Sequence, residues 1–252
     1  MASITAFLKR PDGSTLAYDQ SPGAPGVVFL HGLMSDRTGT KAVALAEHCH
    51  RKGYGFVRFD MFGHGESSGR FQDGTISRWT EDALAILDGL TKNRQIIIGS
   101  SMGAWVMIRT AVLRTERIAG LIGIASAPDF TEDLMWPGLS ESQRTIIQTQ
   151  GVADVKSDED PRPYRISRDL IEDGRRNLVL RAPIKLDCPV RLLHGQRDVS
   201  VPWETSLRLA ERITGDDVDV QLIKGGDHRL SRPEDLKRLC ATLDELIVEG
   251  NA

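Results

Sequence analysis

The 252-residue chain has little cysteine, no basic excess and no long apolar run. Its three cysteines, Cys49, Cys188 and Cys240, are odd in number and form no C-x-x-C. That argues against a disulfide framework or a thiolate metal site, and for free thiols in a reducing compartment. A net charge of −3 offers no basic footprint for nucleic acid. No apolar stretch approaches the roughly 18 residues needed to cross a bilayer. The first residues, MASITAFLKRPDGS, show no apolar core behind a basic start, so no signal peptide is expected. Repeats and low-complexity tracts are lacking too. What is present is an ordinary globular composition, 40% hydrophobic and 27% charged. The length suits one larger α/β domain, which can bury a sizeable core without staples.

The apolar pattern supplies the architecture. Ser3–Lys9 and Thr15–Asp19 flank PDG, where Pro presets φ and Gly accepts positive φ, so an antiparallel hairpin is expected. The pattern then changes to short continuous apolar runs, as in strands covered on both faces. Strands are expected at Gly26–Leu30, Tyr54–Phe59, Gln95–Ile98 and Ile118–Ala125, alternating with helices at Lys41–Lys52, Ile76–Leu90 and Ala104–Arg114. This rhythm implies right-handed crossovers, hence a mostly parallel sheet with helices on both faces and an antiparallel N-terminal edge. After Ala127 the rhythm breaks. Residues from about 128 to 186 are charged and weakly helical (Ser140–Gln150, Ser167–Asp173), and are expected to form a cap or lid inserted into a single domain spanning 1–252. Strands resume at Val190–Leu193 and Val218–Ile223, followed by a helix over Pro233–Val248.

Sheets of this kind carry their sites at the carboxyl ends of the strands. There the chain reads Gly99-Ser100-Ser101-Met102-Gly103, a G-x-S-x-G turn between a strand and a helix. The central residue of such a turn takes a strained conformation, and the positions two before and two after it must be small. Ser101 is central; Ser100 fills the variable position, where it packs or hydrogen-bonds. Ser101 also lies at a helix N-terminus, where exposed N–H groups favour negative charge. The Met102 amide is therefore a candidate oxyanion donor. A second donor is expected from HGLMSD after Leu30, with Gly32 permitting close approach and the Leu33 amide facing the substrate oxygen.

A serine nucleophile needs a base. Of six histidines, His48 and His50 lie on a surface-like helix, His64 in FGHGESSG and His194 inside a strand end. His31 is better suited to structuring its own loop. His228, in KGGDHRL after the last strand, fits best. Asp198, in RLLHGQRDVSVPW past the preceding strand, is placed to orient it. Asp227 is too local to do so, and Asp187 precedes its strand. The order Ser, Asp, His is that of α/β-hydrolases.

With these motifs (HGLMSD, RFDMFGHGESSG, GSSMGAW, HGQRDVSVP and GGDHRL) the chain resembles the α/β-hydrolase superfamily over nearly its whole length. Within it, SDRTGTKAVALAEHC, RFDMFGHGESSGRFQDGTISRW and GIASAPDFTE resemble the mitochondrial acyl-glucuronide esterase and palmitoyl-protein thioesterase family and its bacterial relatives. The resemblance implies Ser101, Asp198 and His228 as nucleophile, acid and base, and Leu33 and Met102 as oxyanion amides. Ala104 stands where a glycine is expected after the elbow; the crowded turn should tolerate the added methyl, with the acyl pocket the place where it would act. The implied compartment is the cytoplasm for a bacterial chain and the mitochondrial matrix for a processed eukaryotic one.

The expected activity is that of a serine hydrolase acting on a small-molecule or acyl-protein ester or thioester, with no metal, no cofactor, no nucleic-acid partner and no membrane span. Activity should fall on acidification as His228 protonates. Met61, Phe62, Met135 and Trp136 are candidate acyl-pocket liners. The alternatives are a peptidase or C–C bond hydrolase of the same fold, or an inactive ligand-binding relative. A peptidase would need an acidic anchor for a free amine, and no such cluster stands out. Arg162, Arg165, Arg168, Arg175, Arg176 and Arg181 cluster in the expected cap, but interleaved carboxylates favour a solvated surface there over an anion site.

Overall fold

A computed structural model describes residues 5–156 and 163–249. Ser3, Arg162 and the carboxylates 158–160 therefore lie outside the described residues. The strands are β1 (Ala6–Lys9), β2 (Thr15–Ser21), β3 (Gly26–Leu30), β4 (Gly55–Phe59), β5 (Gln95–Ser100), β6 (Ile118–Ile124), β7 (Val152–Val155), β8 (Tyr164–Ser167), β9 (Val190–Gly195) and β10 (Val218–Ile223). The helices are α1 (Thr40–Lys52), α2 (Ile76–Leu90), α3 (Met102–Leu113), α4 (Trp136–Gly138), α5 (Glu141–Gln150), α6 (Arg168–Arg176), α7 (Glu204–Arg212) and α8 (Pro233–Glu249).

Eight strands form one sheet in the order β1-β2-β4-β3-β5-β6-β9-β10. From β4 to β10 every pairing is parallel, and β2 pairs antiparallel with both β1 and β4. The mostly parallel sheet with an antiparallel N-terminal edge is thus as expected. Alternation within the apolar runs explains the layering. Val28 and Leu30 of β3 and Ile97 of β5 face a core shared with α2, α3 and Leu209 of α7. Val27 and Phe29 of β3, with Ile96 and Ile98 of β5, face a second core shared with α1 and α8. With helices on both faces, both sets of alternating side chains must be apolar. Among the described residues no helix is long and apolar enough to cross a membrane.

The segment between β6 and β9 departs from simple expectation. Besides α5 and α6 it holds an antiparallel hairpin, β7–β8, that weak helical periodicity did not suggest. It begins with Asp129 in a left-handed conformation (φ 59°) followed by a π-helical turn at Thr131–Met135. Helix α7 was also not expected. Asp129 ties the start of the segment to its end. Its fully buried carboxylate accepts the Val179 and Leu180 amides at 2.8 and 2.9 Å and meets Arg181 Nη1 at 3.4 Å. Asp173 ties α6 to α2 by accepting from the Ser77 amide and hydroxyl, both at 2.8 Å.

Asp129→Ala leaves two amides without an acceptor and should lower the unfolding free energy by about 2–4 kcal/mol. Arg181→Ala, removing half-exposed ion pairs, should cost about 1 kcal/mol or less. Urea denaturation of the two variants checks the ranking; equal losses would contradict it.

Candidate active site

β5 runs into α3 through Ser101, at φ 54° and ψ −119°. The glycines around it are sterically required. A Cβ at Gly103 would lie 2.4 Å from the Leu30 carbonyl oxygen, and one at Gly99 would lie 2.5 Å from the Gly103 carbonyl oxygen. Backbone bonds fix the turn: the Ser101 amide donates to Ile124 O at 2.9 Å, and Ser101 O accepts from Ala104 at 2.9 Å. Ser100, the last residue of β5, is buried.

Two further loops converge on Ser101. The loops after β9 and β10 are joined by Gln196 N–H to Ile223 O at 2.9 Å and Arg197 N–H to Gly226 O at 2.8 Å. This sets Asp198 beside His228. His228 Nδ1 lies 2.7 Å from Asp198 Oδ2, and His228 Nε2 lies 3.1 Å from Ser101 Oγ. Asp198 Oδ1 accepts the Ser200 and Val201 amides at 2.9 and 2.8 Å. Burial pushes the Asp198 carboxyl up, but the bonds from His194, His228 and Val201 outweigh it and hold it well below the usual carboxylate range. Asp227 instead accepts the Leu230 amide at 2.9 Å within its own loop.

The loop after β3 forms the opposite side. A Cβ at Gly32 would lie 3.2 Å from Ser101 Cβ, so this backbone passes against the serine. His31 Nε2 accepts the Met61 amide at 3.0 Å, which leaves Nδ1–H to donate to Gly32 O at 2.8 Å. Gly32 O also accepts the Ser35 amide at 3.2 Å, so the peptide that precedes Leu33 is held from two sides. His64 Nε2 accepts the Met34 amide at 3.3 Å in the same loop. Burial lowers the His31 pKa to about 4. Burial, and then the adjacent His31, lowers that of His64 to about 3. Arg37 anchors the loop's far end on buried Asp60, which also takes the Arg37 amide at 2.7 Å.

A cavity of about 800 Å³ opens over Ser101 and His228. Phe130, Leu134, Met135, Leu139, Val155 and Tyr164 give it one apolar wall; Ser35, Thr38, Thr40, Lys41 and Ser231 give it a polar one. Of the four expected pocket liners, Met135 is on this wall and three are elsewhere. Met61 is fully buried, its amide donating to His31 Nε2. Phe62 packs under the Arg78 guanidinium at 4.4 Å. Trp136 lies between Arg144 and Arg175, at 5.6 and 4.9 Å. Ala104 is fully buried in α3 and off the cavity wall, so its methyl does not shape the pocket. His48 also differs from expectation: it is buried and bonds Asp244 at 2.8 Å. The described arginines of the expected cluster pair with the segment's own carboxylates, as Arg175 with Glu132 at 2.7 Å and Arg176 with Asp173 at 3.3 Å. Arg181 pairs with Asp133, while Arg165 and Arg168 meet Asp154 and Glu172 at 3.8 and 3.9 Å.

Residues 24–169 match the family described as serine aminopeptidase, S33. The mitochondrial palmitoyl-protein thioesterase ABHD10 of Bos taurus is 39% identical over 244 residues, covering 96% of this chain and 79% of its own. The structure of a putative hydrolase from Agrobacterium vitis S4 superposes with a TM-score of 0.93 at 38% identity, covering 98% of this chain and 100% of that one. That of alpha/beta hydrolase domain-containing protein 10 from mouse gives 0.90 at 38% identity, covering 98% and 99%.

The two depressed imidazoles bear on stability. The unfolded chain binds their protons near pH 6.5 and the folded chain does not, so stability is complete above that pH and falls below it. Asp82, raised by burial to about 6, acts in the opposite sense. Together the three groups should lower stability by about 3 kcal/mol between pH 7 and 4.5. Urea unfolding at both pH values checks this, and unchanged stability would contradict the neutral, buried assignment.

Proposed function

Because the chain belongs to the serine aminopeptidase, S33 family, with the α/β-hydrolase fold, we propose that it hydrolyses carboxylic esters or thioesters through an acyl-enzyme on Ser101. The observation that carries this reading is the unbroken chain from Ser101 Oγ to His228 to Asp198, opening on a cavity with one apolar wall. Ser101 Oγ attacks the acyl carbonyl while its proton passes to His228 Nε2. Asp198 holds His228 in the tautomer that accepts there and stabilises the imidazolium. The carbonyl oxygen gains charge between the Leu33 and Met102 amides, each donor worth about 3 kcal/mol. As the tetrahedral species collapses, the leaving thiolate or alkoxide takes the proton from His228. His228 then draws a proton from water, whose oxygen attacks the acyl-enzyme; collapse releases the carboxylic acid while His228 returns the proton to Ser101 Oγ.

The 128–186 segment acts as the cap: its Phe130, Leu134 and Met135 take up the acyl chain, and the leaving group lies toward the polar wall. The thioesterase activity named for the mammalian relatives supports an acyl-thioester or acyl-protein substrate here. Their mitochondrial setting extends to this chain as a matrix location in a eukaryotic source, and the cytoplasm in a bacterial one. The peptidase in the family's description is the second reading. It needs a carboxylate for the substrate's free amine, and among the described lining residues Asp36 is the one acid, already bound by the Thr38 amide and hydroxyl at 2.7 and 2.6 Å.

The test is hydrolysis of an ester and thioester series from two to sixteen carbons. Rates should rise about fourfold per methylene until the apolar wall is filled. Ser101→Ala should lower the rate by on the order of 10³ to 10⁶, and wild-type activity should fall on acidification. Activity that survives Ser101→Ala would overturn the reading. Turnover of aminoacyl amides in place of acyl esters would favour the peptidase; a wild type inert to all of these would favour C–C hydrolysis or ligand binding.

A further inference from the structure

His194 is a fully buried histidine for which the mechanism above has no role. It lies near the end of β9, and its ring joins α7 to the loop that carries Asp198. Nδ1 is 2.7 Å from the buried Ser206 hydroxyl. Nε2 is 3.1 Å from both Asp198 Oδ2 and the Val201 carbonyl oxygen. A carbonyl and an ionised carboxylate can only accept. Nε2 therefore carries the proton, and Nδ1 accepts from Ser206. The resulting chain runs from Ser206 through His194 to Asp198 Oδ2, which also takes the proton of His228 Nδ1. With the Ser200 and Val201 amides on Oδ1, Asp198 receives four N–H donors, one for each of its lone-pair directions.

We propose that His194 is a positioning residue for the Ser101 reaction, sharing Asp198 Oδ2 with His228 so as to lock the carboxylate plane and moderate its pull on the His228 proton. The inference rests on the acyl-hydrolase reading. Two imidazoles divide one oxygen. Without the His194 donor, the charge on Oδ2 is offered to His228 alone, the imidazolium is held more strongly, and the base is protonated at higher pH. Other charged groups face the network. Asp227 and Arg229 flank His228, and Arg197 flanks Asp198. Lys41 of α1 donates from Nζ to Arg229 O beside His228, and the cavity lining also holds Asp36 between β3 and α1 and Lys156 after β7. His31, also there, stays neutral in the folded chain across the working range. Substitution at position 194 leaves all of these in place, so a displacement of the His228 titration reports the shared oxygen.

The experiment titrates the His228 ring by nitrogen-15 NMR in wild type, His194→Met and His194→Gln, beside the pH profile of kcat/KM. Met fills the space without an N–H donor; the Gln amide reaches toward the ring Nε2 position and restores one. In His194→Met the His228 midpoint and the acidic limb of kcat/KM should both move up by about half a pH unit or more. In His194→Gln both should stay at wild type. If His194→Met does not fold, Ser206→Ala replaces it: losing the hydroxyl that feeds Nδ1 weakens the Nε2 donor, and a smaller shift in the same sense is expected. Unmoved midpoints, or equal shifts for Met and Gln, overturn the proposal. The acyl-hydrolase reading fails separately, by turnover that survives Ser101→Ala, whatever the NMR midpoints do.

Discussion

Ser101 holds a backbone conformation that costs a non-glycine residue about 1–3 kcal/mol, and such a conformation persists only where its surroundings over-determine it. Here they do. β5 is central in the sheet, paired with β3 on one side and β6 on the other. Ile124 O takes the Ser101 amide, and the amide of Ala127 reaches Ser101 O at 3.3 Å. Gly103 lets α3 press against the carbonyls that end β3. Parallel strands deliver the Gly32, Asp198 and His228 loops to the same edge. The strain at one residue and the topology of the sheet are two aspects of one arrangement: the turn raises the hydroxyl out of the sheet, and the sheet brings its partners to it.

Electrostatics divides the site into a neutral half and a charged half. On the Gly32 side, buried His31 and His64 offer bare ring nitrogens to the Met61 and Met34 amides. A proton on either ring would abolish that acceptor, so their depressed pKa values and the form of the loop have one cause, the removal of water. On the Asp198 side, four donors keep a buried carboxylate ionised despite the same desolvation. Ser101 sits between them, with the Gly32 backbone against its Cβ on one side and His228 Nε2 at 3.1 Å from its hydroxyl on the other.

Much of this was legible in the sequence because it is local. GVVFL and QIII are continuous apolar runs because both faces of the sheet are covered, so strand positions, helix alternation and fold class follow from short windows. G-x-S-x-G and the post-strand positions of Asp198 and His228 likewise pick out the residues that the structure brings within hydrogen-bond reach. What was missed depends on distant partners. The strands VADV and YRIS are four residues each and stable only as a pair, and α7 is a nine-residue helix with few apolar positions. Met61 and Phe62 follow a strand, as pocket residues do, but the first is buried in the core and the second packs under Arg78. His48 lies on a helix that looks exposed until α8 brings Asp244 to it. His194 has partners 4, 7 and 12 residues away, and nothing in its neighbours marks it as bonded to the carboxylate that His228 also meets.

The central claim is that Ser101, and not its neighbour Ser100 on the same cavity wall, carries the acyl group. The most direct measurement is intact-mass and peptide mapping of the protein after reaction with a fluorophosphonate, for wild type, Ser100→Ala and Ser101→Ala. The account predicts one adduct per chain on the peptide containing Ser101, retained in Ser100→Ala and lost in Ser101→Ala. An adduct that survives Ser101→Ala, or a wild type that takes up none, would contradict it.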